Sequence, residues 1–228
     1  MVLGVAAFEL TLAPKARGDL ELVRSDRPGQ RVLFVGNSAT YYNDMPSMVR
    51  RLAAADHGGP TLFVVQYTAP VWKLRDASDD DGLRSLLREV RWDDVILQEH
   101  SDESPPFVEE LHGRITAGGA RTTLFVRGPS DDPTYTELAG RLPASLAPVG
   151  DAFDEAFRRN PYLALRADEE GHPNRAGSFL IACVFYATLT RRDPRPSGYG
   201  AGLPAYRSRF LKDVAWDVHS ARATAPTR

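Results

Sequence analysis

The chain has 228 residues, 43% of them hydrophobic, which is enough to bury one sizeable core and predicts a single domain over residues 1–228. Its formal net charge of −2 carries no electrostatic footprint for nucleic acid or for an acidic membrane surface. The one cysteine, Cys183, lies inside an apolar run, so neither a disulfide framework nor a cysteine zinc site can be built.

Residues 1–10 are mildly apolar but lack a basic leader, and Glu9 interrupts them, so no targeting segment is expected. With no run near the ~20 apolar residues that span a bilayer, the expectation is a cytoplasmic protein without a membrane partner. Phe8–Leu12 and Asp19–Val23 alternate weakly across a Pro-Lys-Ala-Arg-Gly link, which predicts a hairpin or edge pair in an N-terminal extension over 1–30. Four short apolar runs follow, Val32–Val35, Leu62–Val65, Val95–Leu97 and Thr123–Val126, as expected of strands buried on both faces. Between and after them, Met45–Ala55, Gly82–Val90, Thr134–Arg141 and Val149–Arg159 have helical character. A last strong helix is predicted from about Asn174 to Thr190, with Arg191 and Arg192 at its carboxyl end and Pro194 and Pro196 stopping it. Residues 197–228 form a glycine-rich tail that leads into a helix around Tyr206–His219. This βαβα rhythm predicts an α/β protein with a mostly parallel sheet.

In such a sheet, ligands bind beyond the carboxyl ends of the strands, where Ser38, Gln98 and Gly128 would emerge together. Ser38 follows the first apolar run in the turn Gly36-Asn37-Ser38, and unsatisfied N–H groups at the start of a following helix would face developing negative charge there. His172 follows the acidic cluster Asp168-Glu169-Glu170. A hydroxyl, a carboxylate and an imidazole in this order point to acyl transfer or ester hydrolysis. No two histidines have metal-ligand spacing, so no catalytic metal is expected. His57, His112 and His219 read as surface or packing residues. His100 either lines the substrate pocket or sits at its rim, and Tyr41, Tyr42 and Trp72 are core or rim aromatics or else specificity elements.

Val32-Leu33-Phe34-Val35-Gly36-Asn37-Ser38 resembles the first block of the SGNH (GDSL-like) hydrolases, with Asn37 where Asp is commoner. Thr40-Tyr41-Tyr42-Asn43-Asp44-Met45-Pro46 looks like its continuation in a bacterial branch of that superfamily. Trp92-Asp93-Asp94-Val95-Ile96-Leu97-Gln98-Glu99-His100-Ser101 is similar to the third block, and Gly171-His172-Pro173-Asn174-Arg175-Ala176-Gly177-Ser178-Phe179-Leu180 to the last. The resemblance implies a three-layer α/β/α sandwich, flavodoxin-like, around a central mostly parallel sheet. It also implies that Ser38 is the nucleophile and His172 the general base. The orienting acid is then Glu169, three residues before the histidine as in the family, or Asp168, four before.

The family's second block presents a glycine N–H to the oxyanion, whereas Tyr67-Thr68-Ala69-Pro70-Val71-Trp72 has no glycine, leaving the backbone of Ala69 or Val71 as its substitute. Gln98 stands where the third block supplies an Asn side chain, so Ser38, Ala69 and Gln98 are the expected oxyanion donors, with Tyr41, Trp72 and His100 as candidate substrate contacts. The implied function is a serine esterase acting on a small-molecule ester or acyl substrate, without a cofactor. Its rivals are an acyltransferase or biosynthetic tailoring enzyme on the same fold, and a catalytically impaired binding protein.

Overall fold

The computed structural model describes residues 13–98, 105–129 and 132–224. In chain order it contains β1 (Lys15–Gly18), α1 (Leu20–Val23), β2 (Gln30–Gly36), α2 (Ser38–Tyr41), α3 (Met45–Ala54), β3 (Leu62–Thr68), α4 (Leu74–Asp79), α5 (Asp81–Glu89), β4 (Asp94–Leu97), α6 (Pro105–Ala117), β5 (Arg121–Val126), α7 (Pro133–Arg141), β6 (Ser145–Pro148), α8 (Val149–Arg159), α9 (Arg175–Thr190) and α10 (Ala205–Thr224). The six strands form one sheet in the order β1-β3-β2-β4-β5-β6, antiparallel at β1 and parallel elsewhere.

Side-chain alternation along the strands decides the layering, since successive residues point to opposite faces. Val32, Phe34, Leu62 and Val64 join α3, α8, α9 and α10 in one core, while Leu33, Val35, Phe63 and Val65 join α4, α5, α6 and α7 in the other. Helices therefore cover both faces, which is why the strands read as nearly continuous apolar runs. Helix α9 is buried along almost its whole length, and its Phe185 meets Phe34 and Phe125 edge-on at 5.0 Å each. An uninterrupted apolar sequence is what a helix enclosed on all sides requires.

The N-terminal expectation needs correction. The segment read as a link, Lys15–Gly18, is itself the edge strand, and Asp19–Val23 is not its partner but a cap and a short helical turn. Phe8–Leu12 lies outside the described residues. Two elements that the sequence hid also appear. Strand β6 ends in Pro148, which an edge strand tolerates because no ladder bond is lost on its open side. Helix α6 starts with Pro105-Pro106, which resembles a loop in sequence but suits a first helical turn that has no N–H to place. Among the described residues, no helix is long and apolar enough to cross a membrane.

The topology sets where a ligand can bind. From β2 the chain passes to β3 on one side and later returns to β4 on the other, so the crevice at the carboxyl ends of β2 and β4 is the switch point of the sheet. Ser38 directly follows β2 and Gln98 directly follows β4.

Candidate active site

At the switch point, Ser38 Oγ lies 3.0 Å from His172 Nε2, although 134 positions separate them in sequence. The other ring nitrogen, Nδ1, lies 2.7 Å from Asp168 Oδ2. A carboxylate can only accept, so Nδ1 carries the proton it shares with Asp168, and Nε2 is left with its lone pair toward the serine hydroxyl. Asn43 ties the two chain regions together: its Nδ2 donates to Pro173 O and to Ser178 Oγ, both at 2.9 Å.

Loop geometry separates the two acid candidates. Asp168 Oδ1 accepts the backbone N–H of His172 at 3.0 Å while its Oδ2 holds the ring, and Ala167 N–H closes the turn onto His172 O at 2.7 Å. This double grip needs a short side chain four residues before the histidine. Glu169 is exposed and takes no part in it, and the second carboxylate near the ring is instead Glu170, 3.6 Å from Nδ1 and well exposed. Burial pushes the Asp168 carboxyl up, but the hydrogen bonds from the His172 backbone and ring outweigh it and hold the group below the usual aspartate range.

Gln98 is buried, with 1% of its surface exposed. Its Oε1 accepts Asn37 N–H at 2.9 Å and the Thr40 hydroxyl at 3.1 Å, which orients the amide, and among the described residues its Nε2 has no hydrogen-bond partner. A buried amide donor held in a fixed orientation beside a nucleophile, without a partner of its own, is what an oxyanion requires. Gly36 makes room for it: a Cβ there would stand 2.6 Å from Gln98 Oε1 and 2.8 Å from Thr40 Oγ1. Ser38 occupies the first position of α2, where the backbone N–H has no intrahelical acceptor.

Ala69 does not supply a free donor, because its N–H extends the strand ladder to Gly36 O at 3.4 Å. Two residues on, Val71 takes φ +55°, a region that favours glycine and strains a β-branched residue. The loop thus keeps a glycine-like backbone although it contains no glycine.

The structure divides the aromatic residues between the alternatives that the sequence left open. Trp72 is largely buried against Tyr67, with ring centroids 5.6 Å apart, and its carbonyl accepts from Asn37 Nδ2 at 3.0 Å; it shapes the serine turn rather than a pocket. Tyr42, not Tyr41, reaches the histidine: its ring lies over His172 with centroids 4.3 Å apart and planes only 2° from parallel. Tyr41 stacks behind it at 5.8 Å. A run of adjacent tyrosines gives no sequence signal for which one meets the imidazole. His100 lies outside the described residues. Among the described residues, no group of three or more His, Cys, Asp and Glu is placed to hold a metal ion.

No family model matches the chain, and its sequence matches no curated protein. Its fold does match solved structures. A DUF4886 family protein from Bacteroides uniformis ATCC 8492 has TM-score 0.69 at 15% identity, covering 86% of this chain and 95% of that one. The psychrotrophic esterase EstA from Pseudoalteromonas sp. has TM-score 0.55 at 15% identity, covering 71% and 97%. Axe2, an acetylxylan esterase from Geobacillus stearothermophilus, has TM-score 0.52 at 17% identity, covering 71% and 94%. At these identities the likeness establishes the fold, an α/β architecture shared with esterases.

Proposed function

We propose that this protein is a serine hydrolase that cleaves an ester or related acyl bond. The observation that carries the reading is the unbroken chain Asp168–His172–Ser38, with links of 2.7 and 3.0 Å, beside the unpartnered amide donor of Gln98. The SGNH-like order of its sequence blocks and a fold shared with esterases support it.

In the reaction, Ser38 Oγ bonds to the substrate carbonyl carbon as its proton passes to His172 Nε2. The carbonyl oxygen becomes an oxyanion within reach of Gln98 Nε2 and the Ser38 N–H. Collapse breaks the bond to the leaving alkoxide, which takes the proton from Nε2, and an acyl-enzyme remains. A water then repeats the sequence, giving its proton to Nε2, forming the acid and returning the proton to Oγ. Asp168 holds the ring and stabilises the transient imidazolium, and the reaction needs no cofactor. Ser38 is only half-buried and Asp168 is exposed, so water reaches the acyl-enzyme and hydrolysis is favoured over transfer to another acceptor.

The test is Ser38→Ala. We expect kcat/KM for 4-nitrophenyl acetate to fall by about 10⁴ or more, with Tm unchanged and labelling by a fluorophosphonate abolished. Retained turnover would remove Ser38 as the nucleophile.

A further inference from the structure

Beside the serine–histidine pair a second feature is left over. A cavity of about 70 Å³ is walled by Ala39, next to the nucleophile, and by Gly171 and Pro173, on either side of His172. Two arginines line it: Arg127, directly after β5 at the carboxyl edge of the sheet, and Arg166, from the segment leading into the His172 loop. Among the described residues neither side chain has an ion-pair or hydrogen-bond partner. Asp154 also lines the wall but forms an ion pair with neither.

Like charges brought together without a counterion repel. Both desolvation and, secondarily, the field of Arg166 hold the Arg127 guanidinium below its ordinary pKa, and it remains charged at any working pH. Packing fixes one wall of the cavity. Gly150 at the start of α8 lies so close to the loop after β5 that a Cβ would come within 2.0 Å of Gly128 O, so the loop carrying Arg127 is pressed against the helix that carries Asp154.

We propose that Arg127 and Arg166 form a subsite for a carboxylate on the substrate, so that the enzyme prefers esters bearing an anionic group close to the scissile bond. This rests on the serine hydrolase reading and narrows its substrate class. Guanidinium forks match carboxylates in geometry, and a pair of them bordering a cleft draws an anion in and orients it. The cavity, about 70 Å³, has room for a carboxylate head.

The experiment compares two matched pairs of esters. Hydrogen glutarate against valerate, both as 4-nitrophenyl esters, places the carboxylate on the acyl side; 4-acetoxybenzoate against phenyl acetate places it on the alcohol side. The readout is the ratio of kcat/KM, anionic over neutral, in the wild type and in the double variant Arg127→Gln/Arg166→Gln, which cancels any general loss of activity. The ratio should fall about tenfold in at least one pair, which also identifies the side, while Arg158→Gln on the outer face of α8 changes neither. A fall of less than threefold in both pairs overturns the subsite. If the wild type turns over none of the four esters, the hydrolase reading fails instead. Calorimetric titration of glutarate then decides the subsite: binding lost in the double variant supports it, and equal heats in the two proteins overturn it.

Discussion

The two ends of the sheet handle polar groups in opposite ways. At the amino ends of the strands, the buried carboxylate of Asp94 accepts from Arg121 Nε and Nη2 at 2.9 and 2.8 Å and from Gln30 Nε2 at 2.6 Å. These are the first residues of β4, β5 and β2, and the cluster joins three neighbouring strands. At the carboxyl ends, among the described residues, Gln98 Nε2 is buried without a partner, Val71 is 83% exposed at a strained φ, and Arg127 and Arg166 have no counterion. One edge is satisfied by its own residues; the other holds donors and charges without a partner among the described residues. The proposed chemistry lies at the second edge, where departures from local consistency are expected.

Substitutions at the two edges should therefore separate folding from turnover. The largest effect is expected from Arg121→Ala, which leaves the Asp94 carboxylate, 3% exposed, with Gln30 as its remaining partner. Unfolding free energy should fall by about 3 kcal/mol in urea titrations, while kcat for the proposed ester hydrolysis by the folded protein stays within twofold. A loss of kcat without a loss of stability would erase the contrast between the edges. Gln98→Glu probes the opposite edge. It keeps an acceptor for Asn37 N–H and Thr40 and removes the amide donor, so kcat of the folded protein should fall by about 10² or more, over and above the stability lost by burying a carboxyl group. A smaller effect is expected where Tyr42 holds the imidazole by stacking alone. Tyr42→Leu should lower kcat by up to about tenfold with little change in KM, and Tyr42→Phe should restore it, because the flat ring and not the hydroxyl meets His172. Failure of the phenylalanine to rescue would assign the role to the hydroxyl.

Much of this was legible in one dimension because its causes are local. Strands buried on both faces require apolar runs, and Val32–Val35, Leu62–Val65 and Val95–Leu97 supplied them. The Asn174 side chain caps α9 through the N–H groups of Ala176 and Gly177, a signal read from a few neighbouring residues. Elements whose cause is tertiary stayed hidden. Strand β6 is a strand because β5 offers it an edge, and β1 because β3 does. The surroundings of Ala69 and Trp72 have the same kind of cause: a ladder bond reaching back to Gly36 and a core contact with Tyr67 are not written in their own neighbourhood.

The sequence by itself determined the α/β rhythm, the serine at the end of the first parallel strand and the histidine after an acidic turn, since periodicity, turn chemistry and residue type act over a few positions. Only the tertiary structure decided that Asp168 and not Glu169 grips His172, that Tyr42 and not Tyr41 stacks on it, and that two arginines distant in sequence border the same cleft. Each of those outcomes depends on a loop path or a packing contact, and such paths are set by the whole sheet and its helices, not by the residues that the loop contains.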